Sequence, residues 1–236
     1  MVRSLSAVVV MLLVGCGSAT GADAGARAPA PDATRSTLEV SKTTALADRS
    51  DTITITVTVR DATGAPVPRP QVSVTASGRG TPVDASGSAG DDGVLTVSLR
   101  SNVAEVRTVS ATVTGPTGEV VLDAKPVVTF LAGPLAGVRF SVQPTQGRVG
   151  VALSPAIELV AFDANDNPVS SSTVTVALRL VRTPGGVLAG GAARPIVDGG
   201  VTFEGLIIDR PQTGVALRAE ASNGAATESM TFDVVP

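Results

Sequence analysis

Apolar and polar residues alternate with a period of two along most of the chain after Ser36. Residues 51–60, DTITITVTVR, put Ile53, Ile55, Val57 and Val59 on one side and place Thr between them. Alternation of this kind, carried by β-branched side chains, predicts a strand with one buried face. The pattern returns at Val72, Val74 and Ala76, at Leu95, Val97 and Leu99, at Val109, Ala111 and Val113, and at Val128 and Phe130. A second cycle opens with Phe140 and Val142, then Ile157, Leu159 and Ala161, then Val174, Val176, Leu178 and Leu180. It closes with Val201 and Phe203, with Val215, Leu217 and Ala219, and with Met230, Phe232 and Val234. Turn signals separate the strands: residues 61–64 (DATG), Pro66, Pro68 and Pro70, Asp92-Gly93, Gly115-Pro116 and residues 163–168 (DANDNP). Short strands at this spacing predict an all-β fold of two tandem antiparallel sandwiches over residues 36–132 and 135–236. Each is long enough to close a small core. No helical period follows residue 16.

The first 35 residues are of another kind. Residues 1–16 read MVRSLSAVVVMLLVGC, with Arg3 ahead of an unbroken apolar run over 7–14. The run is far short of the ~20 residues that span a bilayer, so residues 1–15 read as a signal peptide. Leu13-Val14-Gly15-Cys16 resembles the lipobox of bacterial lipoproteins. That resemblance implies a diacylglyceryl group on the Cys16 thiol, cleavage just before it, and acylation of the new amino group. Its partner is then the membrane, held stably because each buried methylene contributes about 0.8 kcal/mol. Gly17, rather than Asp, follows the cysteine, which by likeness to enterobacterial lipoproteins points to the outer membrane. Residues 17–35 contain no Leu, Ile, Val or aromatic residue. Nothing there offsets the entropy of ordering, so residues 16–35 are expected to be a disordered tether with an r.m.s. reach of about 25 Å.

Composition narrows the chemistry. Hydrophobic residues make up 43% of the 236, but aromatic residues only 2%, so the cores must be built from small side chains. The chain has no His, Trp or Tyr and one Cys. That removes imidazole bases, His-ligated metals, Cys-cluster zinc sites and internal disulfides. The net charge of −3 supplies no basic field for nucleic acid. Phe130, Phe140, Phe162, Phe203 and Phe232 all fall within strand patterns and are expected in the core, which leaves no aromatic platform for sugar rings.

One segment invites a metal. Asp163, Asn165 and Asn167 alternate like the first three ligands of an EF-hand loop, and are similar to the DxNDN motif between cadherin domains. Pro168 stands where the loop needs Gly, however, and Val174 where it needs a carboxylate. The segment also lies inside one expected sandwich, so the reading is a turn with Asx side chains bonded to nearby backbone, and calcium is the alternative. Asp91-Asp92-Gly93 reads as a hairpin turn. Gly185 and Gly190 have P-loop spacing, but Gly191 replaces the required Lys, which leaves a flexible glycine-rich loop. No G-x-S-x-G elbow occurs, and a Ser triad would have no base. The 21 acidic residues fall mostly in turns and on solvent faces, with no cleft implied. No catalysis, cofactor or metal is expected. Pro66, Pro68 and Pro70 stiffen a loop and block edge pairing.

ITITVTVRDATGAPVPRPQVSV, followed by GDDGVLTVSLRS and VRTVSATV, resembles the bacterial immunoglobulin-like (Ig-like) domain of group 1, which recurs in the stalks of invasin and intimin adhesins. VRFSVQPTQGRVGVALSPAIELVAFDANDNPVSSSTVTVAL and GVTFEGLIIDRPQTGVALRAEAS resemble another Ig-like repeat of bacterial surface proteins. Both resemblances imply Ig-like β-sandwiches used as spacers or interaction modules. The adhesins' outer-membrane barrel and lectin-like tip have no counterpart here, so their receptor binding is not implied. The combined expectation is a non-catalytic, lipid-anchored cell-envelope protein with an unidentified protein partner. A calcium- or carbohydrate-binding accessory module and a purely structural envelope scaffold remain the alternatives.

Overall fold

A computed structural model describes residues 29–79, 85–170, 173–182 and 185–236. The expected signal peptide, Cys16 and residues 17–28 of the expected tether lie outside the described residues. Within them the chain is all strand and turn. The first half contains β1 (Thr37–Val40), β2 (Thr44–Leu46), β3 (Ile53–Thr58), β4 (Gln71–Ala76), β5 (Ala85–Ser88), β6 (Val94–Leu99), β7 (Val106–Gly115), β8 (Gly118–Val121) and β9 (Val127–Leu131). One sheet has the order β1-β3-β6 and the other β2-β9-β7-β4-β5, with β8 paired to β7. The opening segment is divided between the sheets: β1 runs antiparallel to β3, whereas β2 runs parallel to β9.

The second half repeats this plan. It contains β10 (Gly137–Val142), β11 (Gln146–Arg148), β12 (Ile157–Phe162), β13 (Thr175–Val181), β14 (Leu188–Ala189), β15 (Arg194–Pro195), β16 (Gly200–Phe203), β17 (Ile207–Ile208), β18 (Gln212–Ala221), β19 (Ala226–Glu228) and β20 (Phe232–Val235). Its sheets are β10-β12-β16 and β11-β20-β18-β13-β15, with β19 on β18 and a small β14–β17 pair added. Here too the second strand, β11, lies parallel to the last, β20.

Two separate cores result, as the alternation requires. Ile53, Ile55, Val57 and Val59 are fully buried, and they meet Val72, Val74, Val109, Val113 and Phe130 across the first sandwich. Ile157, Leu159, Val176, Phe203, Leu217 and Phe232 fill the second. Each aliphatic side chain removed from water contributes about 1.5–3 kcal/mol.

Several expectations need correction. Met230 is 69% exposed and precedes β20, because the Ser229 hydroxyl accepts the Leu217 N–H and donates to the Met230 carbonyl, turning the chain outwards. Phe140 and Phe162 are only half-buried, whereas Phe130, Phe203 and Phe232 are in the cores. The tether stretch does not run free to residue 35. Pro31 forms a bridge with Asp61, and Asp32 Oδ1 accepts bonds from the N–H groups of Thr34 and Arg35 and from the Thr34 hydroxyl. Ser36 then fastens β1 to the end of β3, its hydroxyl accepting the Arg60 N–H and donating to the Arg60 carbonyl. The glycine loop is also less free than expected. Leu178 N–H donates to the Gly191 carbonyl, and a Cβ on Gly191 would lie 2.2 Å from the Leu178 carbonyl oxygen. Only glycine allows that approach.

Candidate functional site

The 163–168 turn follows β12 and closes on itself. Asp163 N–H donates to the Asn167 carbonyl at 3.0 Å, and Asp166 N–H donates to the Asp163 carbonyl at 3.2 Å. Asp163 Oδ1 accepts the N–H groups of Asn165 (2.8 Å) and Asn167 (2.9 Å). Oδ2 accepts the Asn167 carboxamide (3.0 Å) and the Gly133 N–H (2.8 Å). A carboxylate has about four acceptor positions, and these bonds take all of them. The buried Asp163 therefore serves as the hub of an Asx turn, with its oxygens aimed at N–H donors. A calcium ion needs six or more oxygens, and among the described residues no three acidic or thiol groups gather to help supply them.

The turn belongs to the second sandwich by sequence, as expected, but in space it sits against the first. This corrects the expectation that it is internal to one unit. Asn167 Oδ1 accepts the Ala104 N–H at 2.7 Å, and its Nδ2 donates to the Asn102 carbonyl at 3.0 Å. Asn165 Nδ2 donates to the Ala47 carbonyl at 3.0 Å. The receiving loops are themselves braced. Arg49 N–H donates to the Ser101 carbonyl, and the buried Ser101 hydroxyl both accepts the Val103 N–H and donates to the Val103 carbonyl. On the other side, Arg139 bonds Asp166 at 3.0 Å and stands 4.6 Å over the Phe162 ring. That ring also packs on Gly137, where a Cβ would lie 2.6 Å from it, so it is not a free platform for a sugar. An open groove of about 760 Å³ lies alongside, lined by Leu46, Leu131, Leu135, Val169 and Val174 among others.

The first sandwich has the same turn at the corresponding place. Asp61 Oδ1 accepts the N–H groups of Thr63 and Ala65, Asp61 N–H donates to the Ala65 carbonyl, and Gly64 N–H donates back to Asp61. Val67 N–H then donates to Val59, as Val169 N–H does to Ala161. What differs is reach: Thr63 and Ala65 stand where the second turn has Asn165 and Asn167. Residues 60–67, RDATGAPV, and 162–169, FDANDNPV, carry the signal for this equivalence in plain sequence. The other motifs have no ligand geometry. Asp91 pairs with Arg69, and Asp92 Oδ1 accepts the Val94 N–H beside the 90–93 turn. Pro66 forms a bridge with Arg60, and the Pro70 carbonyl accepts the Ala89 N–H, so the proline segment is a packed connection.

The shifted carboxyls all move in one direction, downwards. Burial opposes ionisation of Asp163 more than any other single influence, but the bonds from Asn167, Gly133 and Asn165 together outweigh it and hold its carboxyl below the ordinary range. The Thr63 hydroxyl does the same for Asp61, Arg179 and then Arg218 for Glu220, and Arg182 for Glu228. A carboxyl more acidic in the folded than in the unfolded chain stabilises the fold above its unfolded pKa, about 4, and ceases to do so as pH falls through the lower folded value. With no His, no side chain of ordinary pKa titrates between about pH 5 and 8. The melting temperature is thus expected to be level across that interval and to fall below about pH 4. A step between pH 6 and 7 in a melting series would contradict this account.

Residues 35–131 match the family model of the bacterial Ig-like domain (group 1). No curated protein matches the chain. Among solved structures it is similar to InvD of Yersinia pseudotuberculosis, with 22% identity over 87% of this chain and 58% of that one and a TM-score of 0.48. It is also similar to the adhesin InvE of the same organism (18% identity, 86% of this chain, 60% of that one, TM-score 0.42). The Escherichia coli adhesin FdeC gives 14% identity over 88% of this chain and 66% of that one, with a TM-score of 0.42. The chain spans less than two thirds of the length of each of these structures. The first sandwich, residues 35–131, belongs to the bacterial Ig-like domains of group 1, the family that its strand–DxxGxPVP–strand motif resembles.

Proposed function

We propose that this chain is a non-catalytic, lipid-anchored protein of the bacterial cell envelope, held at the outer membrane on its periplasmic or its surface face. Residues 1–15 are its signal peptide and Cys16 carries the lipid. The sandwiches over 36–132 and 135–236 hold their loops and sheet edges away from the membrane, where they act as spacers or meet a protein partner. The reading rests on one observation: a group 1 Ig-like domain stands behind Leu13-Val14-Gly15-Cys16 and its apolar run. Saturation of the Asp163 carboxylate by protein donors works against the calcium-binding alternative. The lack of any imidazole works against most acid–base catalysis.

Metabolic labelling with radioactive palmitate tests the anchor. Label is expected in the wild-type product, with partition into the membrane fraction, and Cys16→Ser should abolish both. An unlabelled wild-type product recovered from the culture fluid would overturn the proposal.

A further inference from the structure

The surface where the sandwiches meet carries more than the proposed function uses. Four hydrogen bonds cross from the 163–167 turn to the first sandwich and the connection after it, reaching Ala47, Asn102, Ala104 and Gly133. Every partner there is a backbone group. Asp163 and Asn167 are 2% and 4% exposed, and among the described residues no buried side-chain polar atom lacks a partner. Buried and fully paired bonds of this kind resist opening, because each broken one would leave a desolvated donor or acceptor. Backbone donors and acceptors on braced loops also set direction, since they cannot turn to follow a tilting neighbour.

We infer that the 163–167 turn is an inter-module clasp whose Asn165 and Asn167 carboxamides lock the second sandwich onto the first in one orientation. The two sandwiches then move as one body. The first sandwich's own turn, with Thr63 and Ala65, lacks this grip, and the chain that meets it is the short segment around Pro31 and Asp32. The stiff joint therefore lies between the modules. The inference does not depend on lipid attachment.

Spin labels at the exposed positions Glu39 (Glu39→Cys) and Thr202 (Thr202→Cys) of the full chain report the angle between the sandwiches through their distance distribution. A parallel measurement on the parent chain registers any label taken up by Cys16. A single narrow distance is expected. Asn165→Thr with Asn167→Ala recreates the side chains of the first sandwich's turn, which folds with the same backbone bonds, so the variant should stay folded. Its distance distribution is expected to be at least twice as wide, while circular dichroism is unchanged. If the double variant loses structure, Asn165→Thr alone decides, by widening the distribution or leaving it narrow. A broad distribution in the unsubstituted chain, or an equally narrow one in a folded variant, would overturn the clasp.

Discussion

Arg107→Ala is expected to destabilise the first sandwich by about 3–5 kcal/mol, the usual cost of removing one member of a buried ion pair. Arg107 occupies an inward position of β7, in line with Val109, Ala111 and Val113, and is fully buried. Its Nε donates to the Ser77 carbonyl at 2.6 Å and lies 3.4 Å from Glu105 Oε1. Glu105 in turn accepts the Arg79 N–H on both carboxylate oxygens. The pair thus ties the segment after β4 to the start of β7, next to Ala104 at the junction. Truncation leaves the Ser77 carbonyl without this donor, removes the cation beside the largely buried Glu105 carboxylate, and empties the buried space that the guanidinium filled. Against a typical domain stability of about 5–15 kcal/mol, that loss is large enough to unfold part of the population. Replacing both members, Arg107→Met with Glu105→Gln, should cost much less than the single change, since a buried pair adds little net stability over packed neutral groups. Chemical denaturation of the wild-type chain, Arg107→Ala, and the Arg107→Met and Glu105→Gln singles with their combination measures the difference. A loss under about 1 kcal/mol for Arg107→Ala would show that the pair has no such role.

Phe203→Ala is expected to cost the second sandwich a similar amount, about 3–5 kcal/mol. Phe203 sits on β16 opposite Ile157, is 1% exposed, and has the Arg194 guanidinium 5.2 Å from its ring centroid. The core around it is built mostly of Val, Leu, Ile and Ala, with Phe232 the other buried aromatic side chain, so few side chains are large enough to collapse into the space left behind. The cavity term should therefore stay near its upper range. Because the cores are separate, the unfolding transition of the first sandwich is expected to hold its midpoint while that of the second falls. A calorimetric trace in which both transitions move together would mean that the sandwiches unfold as one cooperative unit.

How much of this was legible beforehand depends on the length over which a pattern extends. β3, β4, β7, β12, β13 and β18 announce themselves because three or more alternating apolar positions leave one reading. β14, β15 and β17, at two residues each, contain too little periodicity to register. Arg107 stands just ahead of the apolar alternation that begins at Val109, so its place in the core is not marked, and its partner at Ser77 is a carbonyl, which leaves no trace in residue identity. The junction is harder still. Spacing alone made Asp163, Asn165 and Asn167 resemble metal ligands, because oxygens that bind cations and oxygens that accept N–H groups use the same residue types. Comparing residues 60–67 with 162–169 would have revealed a shared turn. Even so, only three-dimensional placement reveals that Ala47, Asn102 and Ala104 receive its side chains.

The division of each opening segment between two sheets has a mechanical consequence. In the first sandwich β2 lies parallel to β9, and in the second β11 lies parallel to β20. Tension applied between the ends of either unit loads those parallel ladders lengthwise, so that their hydrogen bonds must shear together instead of unzipping in turn. Either unit pulled from both ends would yield last where its second and final strands run side by side.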